Sequence, residues 1–142
     1  MAVATENNQS VPGGYAIKNQ QYYKEMGMKC DNVIVDKSKA FAIRIIRMYQ
    51  YLSNNKKEYI LSKQILRSGT SIGANVKEAV YAFSKPDFYM KIGIALKEAS
   101  ETEYWLELLH TTEYLTNNQF NSIYPECQEL IRLLISICRT RH

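Results

Sequence analysis

From Asp36 to the C-terminus, apolar side chains recur every three or four positions, and only short polar runs interrupt them. That spacing returns a side chain to one face of a helix, whereas a half-buried strand alternates every second residue. No strand-like alternation competes. The first helix is predicted over about 37–52, with Phe41, Ile45, Met48 and Leu52 as its apolar stripe, and Asn54 to Lys57 form a turn. The second is predicted from Glu58 to Phe83, carrying Leu61, Ile65, Ile72, Val76, Ala79 and Phe83. Ser84 can then cap, and Pro86 suits a first helical turn. The third is predicted from Pro86 to Leu115, with Phe88, Ile92, Ala95, Ala99, Leu106 and His110 on one side. After a break and cap at Asn117 and Asn118, the last helix presents Phe120, Ile123, Cys127, Leu130, Leu134 and Ile137. Pro125 lies in its first two turns and is expected to kink it or mark its start. Four amphipathic helices on short connections give an all-α, up-down-up-down antiparallel four-helix bundle.

Residues 1–35 read differently. They are rich in Asn, Gln, Gly and Pro, include Pro12-Gly13-Gly14, and sustain no apolar period, so they are expected to form an arm that orders partly near Tyr22–Met28. The bundle domain is then 36–142. A chain of 142 residues suits one core of usual size. The N-terminus has neither the basic nor the apolar region of a secretory signal, and no apolar run approaches a membrane span, so a cytoplasmic location without membrane contact is expected. Cys30, Cys127 and Cys138 form no CxxC pair, against a disulfide framework or a zinc site.

Charge is unevenly distributed. Residues 37–83 hold nine basic and two acidic side chains, a net of +7, whereas 84–116 hold three and six, a net of −3. Lys37, Arg44, Arg47 and Tyr51 share one stripe of the first helix. Lys56, Lys63, Arg67, Thr70 and Lys77 share one stripe of the second, with Tyr81 at its edge. A basic face interleaved with tyrosines can pair with phosphates and stack on unpaired bases. The plainer reading is a solvated helix face, with Arg67 turning inward to a carboxylate.

The third helix has a second apolar line, Met90, Ile94, Trp105 and Leu108, with Glu101 among them. Four apolar residues at one spacing, including the only Trp, imply a partner surface, and the simplest partner is another copy of the chain. The alternative is sideways packing on the N-terminal arm. The segment Arg67 to Asn75 is rich in Gly and Ser but lacks the ending of a phosphate loop and follows no strand. Its small residues are better suited to close helix approach. Asn75 and Glu103 fall near the core stripes, where a buried polar contact between the second and third helices is expected to fix register rather than do chemistry. Catalytic constellations are thin. Glu107 and His110 match E-x-x-H once, without the repeat that di-metal bundles use. No catalytic residue, metal site or cofactor is assigned.

The run from Leu61 to Ala79, with Arg67-Ser68-Gly69-Thr70-Ser71-Ile72-Gly73-Ala74-Asn75 at its centre, closely resembles the signature of the four helix bundle protein family. These proteins are encoded in intervening sequences of bacterial 23S ribosomal RNA genes and are sometimes misnamed a ribosomal protein. The resemblance continues through Ser84 to Phe88 and Ala95 to Glu103, and spans roughly 34–140. It implies a four-helix bundle assembled as a ring-shaped homopentamer. A related branch, the accessory protein of diversity-generating retroelements, implies association with a reverse transcriptase and contact with nucleic acid, although this chain's net charge of +4 is modest for that branch. The motif residues Arg67, Ser71, Gly73, Asn75 and Glu103 would shape the contact between the second and third helices.

The expectation is therefore a non-enzymatic homo-oligomer that binds RNA or DNA through Lys37, Arg44, Arg47, Lys56, Lys63, Arg67 and Lys77. A protein–protein adaptor using the acidic third helix or the arm is the alternative, and an enzyme hidden in the bundle core ranks last.

Overall fold

The computed structural model describes residues 32–141, and the expectations for an ordered Tyr22–Met28 and for Cys30 lie outside them. The described residues form four helices: α1 (Asn32–Asn54), α2 (Leu61–Val80), α3 (Lys85–Thr111) and α4 (Asn117–Cys138). Helix α1 starts before the expected position, so 32–35 belong to the bundle rather than to an arm. Ile34, 1% exposed, is the reason, since it extends the Phe41/Ile45/Leu52 stripe by two turns into the core.

Contacts between neighbours run antiparallel throughout. Gly69 faces Ile45 and Gly73 faces Ser38 between α2 and α1. Ser68 meets Thr102 while Glu78 meets Lys91 between α2 and α3. Cys127 lies at Ala99 and Tyr89 at Thr140 between α3 and α4. Lys37 reaches Glu129 and Arg44 reaches Glu126 between α1 and α4. The result is an up-down-up-down four-helix bundle, closed by α4 on α1, the seam with least contact. Phe41, Ile45, Ile65, Ile72, Phe88, Ile92, Leu106, Leu109, Leu130 and Leu134 fill its interior.

Helix ends follow local chemistry. The Glu58 carboxylate, buried, accepts from the backbone N–H groups of Ile60, Leu61 and Ser62 and so serves the unsatisfied donors of the α2 N-terminus. Helix α2 therefore begins at Leu61 rather than Glu58. It ends at Val80, where the Tyr81 and Ala82 N–H groups turn back to Glu78 and Ala79. Phe83, expected in the core stripe, is consequently 95% exposed, because the helical period stops before it. Ser84 caps α3 by accepting from the Asp87 N–H. Helix α3 stops at Thr111, four residues early, as Glu113 enters the left-handed region at φ 69° and the chain folds back. Thr116, not Asn117 or Asn118, caps α4 in a reciprocal box with Gln119. Pro125 lies inside α4 and does not mark its start.

Candidate nucleic-acid interface

The seven basic residues singled out from the sequence separate into two groups. Lys37 pairs with Glu129 at 2.5 Å. Arg44 donates through Nη1 to Glu126 at 2.7 Å and to the Ser122 carbonyl at 3.1 Å, and through Nη2 to Ser122 Oγ at 2.9 Å. Arg67 turns onto α3, where Nη1 meets both Glu98 oxygens at 3.1 Å and Nη2 meets Glu101 at 2.5 Å. The guanidinium holds the Glu101 carboxyl below its usual range, and the Trp105 indole N–H donates to the same oxygen at 3.1 Å. These three cations have their charge largely answered within the bundle.

Arg47, Lys56, Lys63 and Lys77 form the second group. All are exposed, and among the described residues none has a carboxylate partner. Their placement follows from the helix period. The core stripes of α1 and α2 point inward, so Arg47, Lys63 and Lys77 project from the opposite sides, and Lys56 stands in the α1–α2 connection. Such free cations can take phosphates without first breaking an ion pair.

Between α1 and α4 opens a cleft of about 510 Å³, lined by Arg44, Arg47, Met48 and Tyr51 on α1, by Leu115, and by Asn118, Gln119, Ser122 and Ile123 on α4. Sequence reasoning placed Arg44, Arg47 and Tyr51 on one stripe; their α4 neighbours had no signal in the sequence.

The second apolar line of α3 is partly exposed. Met90 is 57% exposed, while Ile94, Trp105 and Leu108 are half-buried, and Trp105 packs against the core. Tyr104, which the sequence reading left out, joins this side at 54% exposure, its ring tilted against Trp105.

Of the motif residues, Arg67 alone bridges α2 to α3 among the contacts formed. Ser71 donates to the Arg67 carbonyl and Asn75 to the Ser71 carbonyl, both within α2. Gly73 faces α1, where an added Cβ would lie 3.3 Å from the Ser38 carbonyl oxygen. Glu103 stands on the α4 side of α3, near Tyr124 and Cys127, with its carboxyl pushed up by burial and by Glu107. The expected Asn75–Glu103 contact is thus absent. The buried polar link between α2 and α3 is instead Thr102 Oγ1 donating to Ser68 Oγ at 2.9 Å, with both residues fully buried. No spacing rule distinguishes this Ser and Thr from other small residues.

His110 stacks on Phe120 at 4.1 Å and shares a hydrogen bond with Asn117, and Phe120 stacks in turn on Tyr124, whose hydroxyl donates to Glu107. Both partners of the single E-x-x-H match are thereby engaged in the α3–α4 packing. Among the described residues no three metal-ligating side chains come together, and no helix is long and apolar enough to cross a membrane.

The fold defines a class, a small antiparallel helical bundle with unpaired cations on its outer surface. Within that class the chain belongs to the 23S rRNA-intervening sequence protein family, whose profile matches residues 30–136. A crystallised protein of unknown function from the S23 ribosomal protein family of Bacteroides thetaiotaomicron is 59% identical. The similarity covers 77% of this chain and 97% of that one, with a TM-score of 0.76. No curated protein matches the chain.

Proposed function

We propose that the protein is a non-enzymatic homo-oligomer that binds structured RNA through the outward cations of α1 and α2. The observation that carries this reading is the set of exposed cations Arg47, Lys56, Lys63 and Lys77, free of carboxylate partners among the described residues. Phosphate contacts of this kind supply affinity without reading sequence. Lys37, Arg44 and Arg67 are secondary, because their ion pairs must be exchanged before they reach a phosphate.

Self-association draws on the exposed side of α3, with Met90 and Tyr104 its most exposed members and Ile94, Trp105 and Leu108 half-buried on the same side. A pentameric ring is the assembly the family resemblance implies, and it would present the cations in repeated copies, so that weak contacts add up. Association with a reverse transcriptase rests on the same resemblance.

The test is binding of the full chain to a fluorescent RNA hairpin across a salt series. Affinity falls log-linearly with salt, and replacing Arg47, Lys56, Lys63 and Lys77 by Gln removes most of it while the helical signal persists. Absence of binding at low salt, or unchanged binding by the folded variant, refutes the site. Light scattering tests assembly: Met90→Glu with Tyr104→Lys reduces the particle mass. A protein–protein scaffold is the second reading, favoured by the exposed Ile43 and Ile46 on α1, at 50% and 42%. It is the reading left if RNA does not bind.

A further inference from the structure

We propose that the cleft between α1 and α4 captures one unpaired nucleobase of an RNA strand. The inference rests on the RNA-binding reading and says which form of RNA the protein prefers.

The cleft combines three properties that a flat, polar-edged ring requires. Its walls are apolar or aromatic, from Met48, Leu115, Ile123 and the Tyr51 ring, while Asn118 and Ser122 supply hydrogen-bonding groups on one side. Its volume, about 510 Å³, falls in the range of about 300–1,000 Å³ typical of small-ligand sites. No carboxylate lines it, and both lining charges are guanidinium groups.

Those two arginines differ. Arg44 is clamped by Glu126 and Ser122, so it forms a fixed planar edge of the cleft. Arg47 has no such partner and is free to meet a phosphate. Exposed Lys56 follows close behind, its backbone N–H bonding back to the Tyr51 carbonyl. A strand whose base enters beside Tyr51 thus finds cations for its neighbouring phosphates.

The location also suits entry. Helices α1 and α4 are the most widely spaced neighbours in the bundle, and the space lies along their outer edge, so a ring can lie there without disturbing the tighter α2–α3 pair. A base held in a duplex cannot enter, because stacking and pairing occupy it, whereas a base in a loop or single strand can.

The experiment uses the full chain, a short single-stranded RNA carrying one 2-aminopurine, and a fully paired duplex of equal charge. Binding quenches the 2-aminopurine emission, and the single strand binds about tenfold tighter than the duplex, the ratio of one stacked base. Asn118→Trp fills the cleft from an exposed position, and Tyr51→Leu removes the ring while keeping apolar volume. Both variants lose the preference and the quench but retain duplex affinity. Unquenched emission in bound RNA, or a preference that survives both variants, overturns the inference and leaves the RNA-binding reading standing. A smaller particle for Asn118→Trp in light scattering also overturns it, since the cleft then holds a second copy. Failure to bind either RNA at low salt refutes the function reading, and this inference with it.

Discussion

Three glycines lie within helices of the bundle, and replacing each by alanine gives three different outcomes. An alanine gains about 0.5–1 kcal/mol over glycine in a helix interior, whatever the site. At Gly93 a Cβ meets nothing within 4 Å, so Gly93→Ala keeps the whole gain. At Gly69 the new carbon would lie 2.7 and 2.8 Å from Ile45 Cγ1 and Cγ2 and 3.2 Å from its Cβ. Ile45 is fully buried and β-branched, so it has no free rotamer into which to retreat. Helices α1 and α2 must part or Ile45 must leave its well, an overpacking cost of about 1–3 kcal/mol. Because the helix-propensity gain is common to both sites, the difference between Gly69→Ala and Gly93→Ala isolates that cost. Gly73 falls between them, with its nearest neighbour a backbone oxygen at 3.3 Å. Urea unfolding at one protein concentration, followed by circular dichroism, ranks Gly93→Ala above wild type, Gly73→Ala below Gly93→Ala, and Gly69→Ala lowest. Ile45→Ala, which removes both clashing Cγ atoms, costs less in the Gly69→Ala background than in wild type, which a double-mutant cycle reads as a favourable coupling. If Gly69→Ala stabilises as much as Gly93→Ala, close approach of α1 and α2 at this point is wrong.

Three further outcomes follow from buried groups. Burial works to raise the Glu58 carboxyl, but the three backbone N–H groups it accepts from prevail and hold it below its usual range. Its stabilisation is therefore present at neutral pH and lost as pH falls through the lowered folded-state value; Glu58→Ala costs about 0.5–2 kcal/mol at pH 7, and the difference from wild type shrinks in acid. Thr102→Val removes the hydroxyl that bonds Ser68 Oγ and the Glu98 carbonyl, and costs about 1 kcal/mol in urea unfolding, with little change in helix content. Burial pushes the Cys127 thiol up to about 12. At pH 8 it resists alkylation in the folded protein and reacts only in denaturant, as peptide mapping would show.

The four helices were legible because each carries a sustained 3.6-residue stripe, and residues such as Ile65, Ile72, Ala95 and Leu134 sit at 0% exposure where the stripe places them. Errors collected at the ends. Phe83 continues the α2 stripe in sequence, yet the chain leaves the helix three residues earlier, and periodicity carries no term for that stop. Glu58 looked like the first residue of a helix, but it is the acceptor outside one. The candidate interface was half legible: charge segregation picked out all seven cations, while composition contains nothing about which carboxylate lies opposite each.

Sequence alone determined that the chain is an all-helical bundle with a basic first half, since both properties are sums over local patterns that folding does not alter. The tertiary structure decided which charges remain free. Lys37, Arg44 and Arg67 meet Glu129, Glu126, Glu98 and Glu101 across helix seams, at separations of 31 to 92 residues that no local pattern encodes. It also created the α1–α4 cleft, because the two helices that wall it are the first and last of the bundle and become neighbours only when the bundle closes.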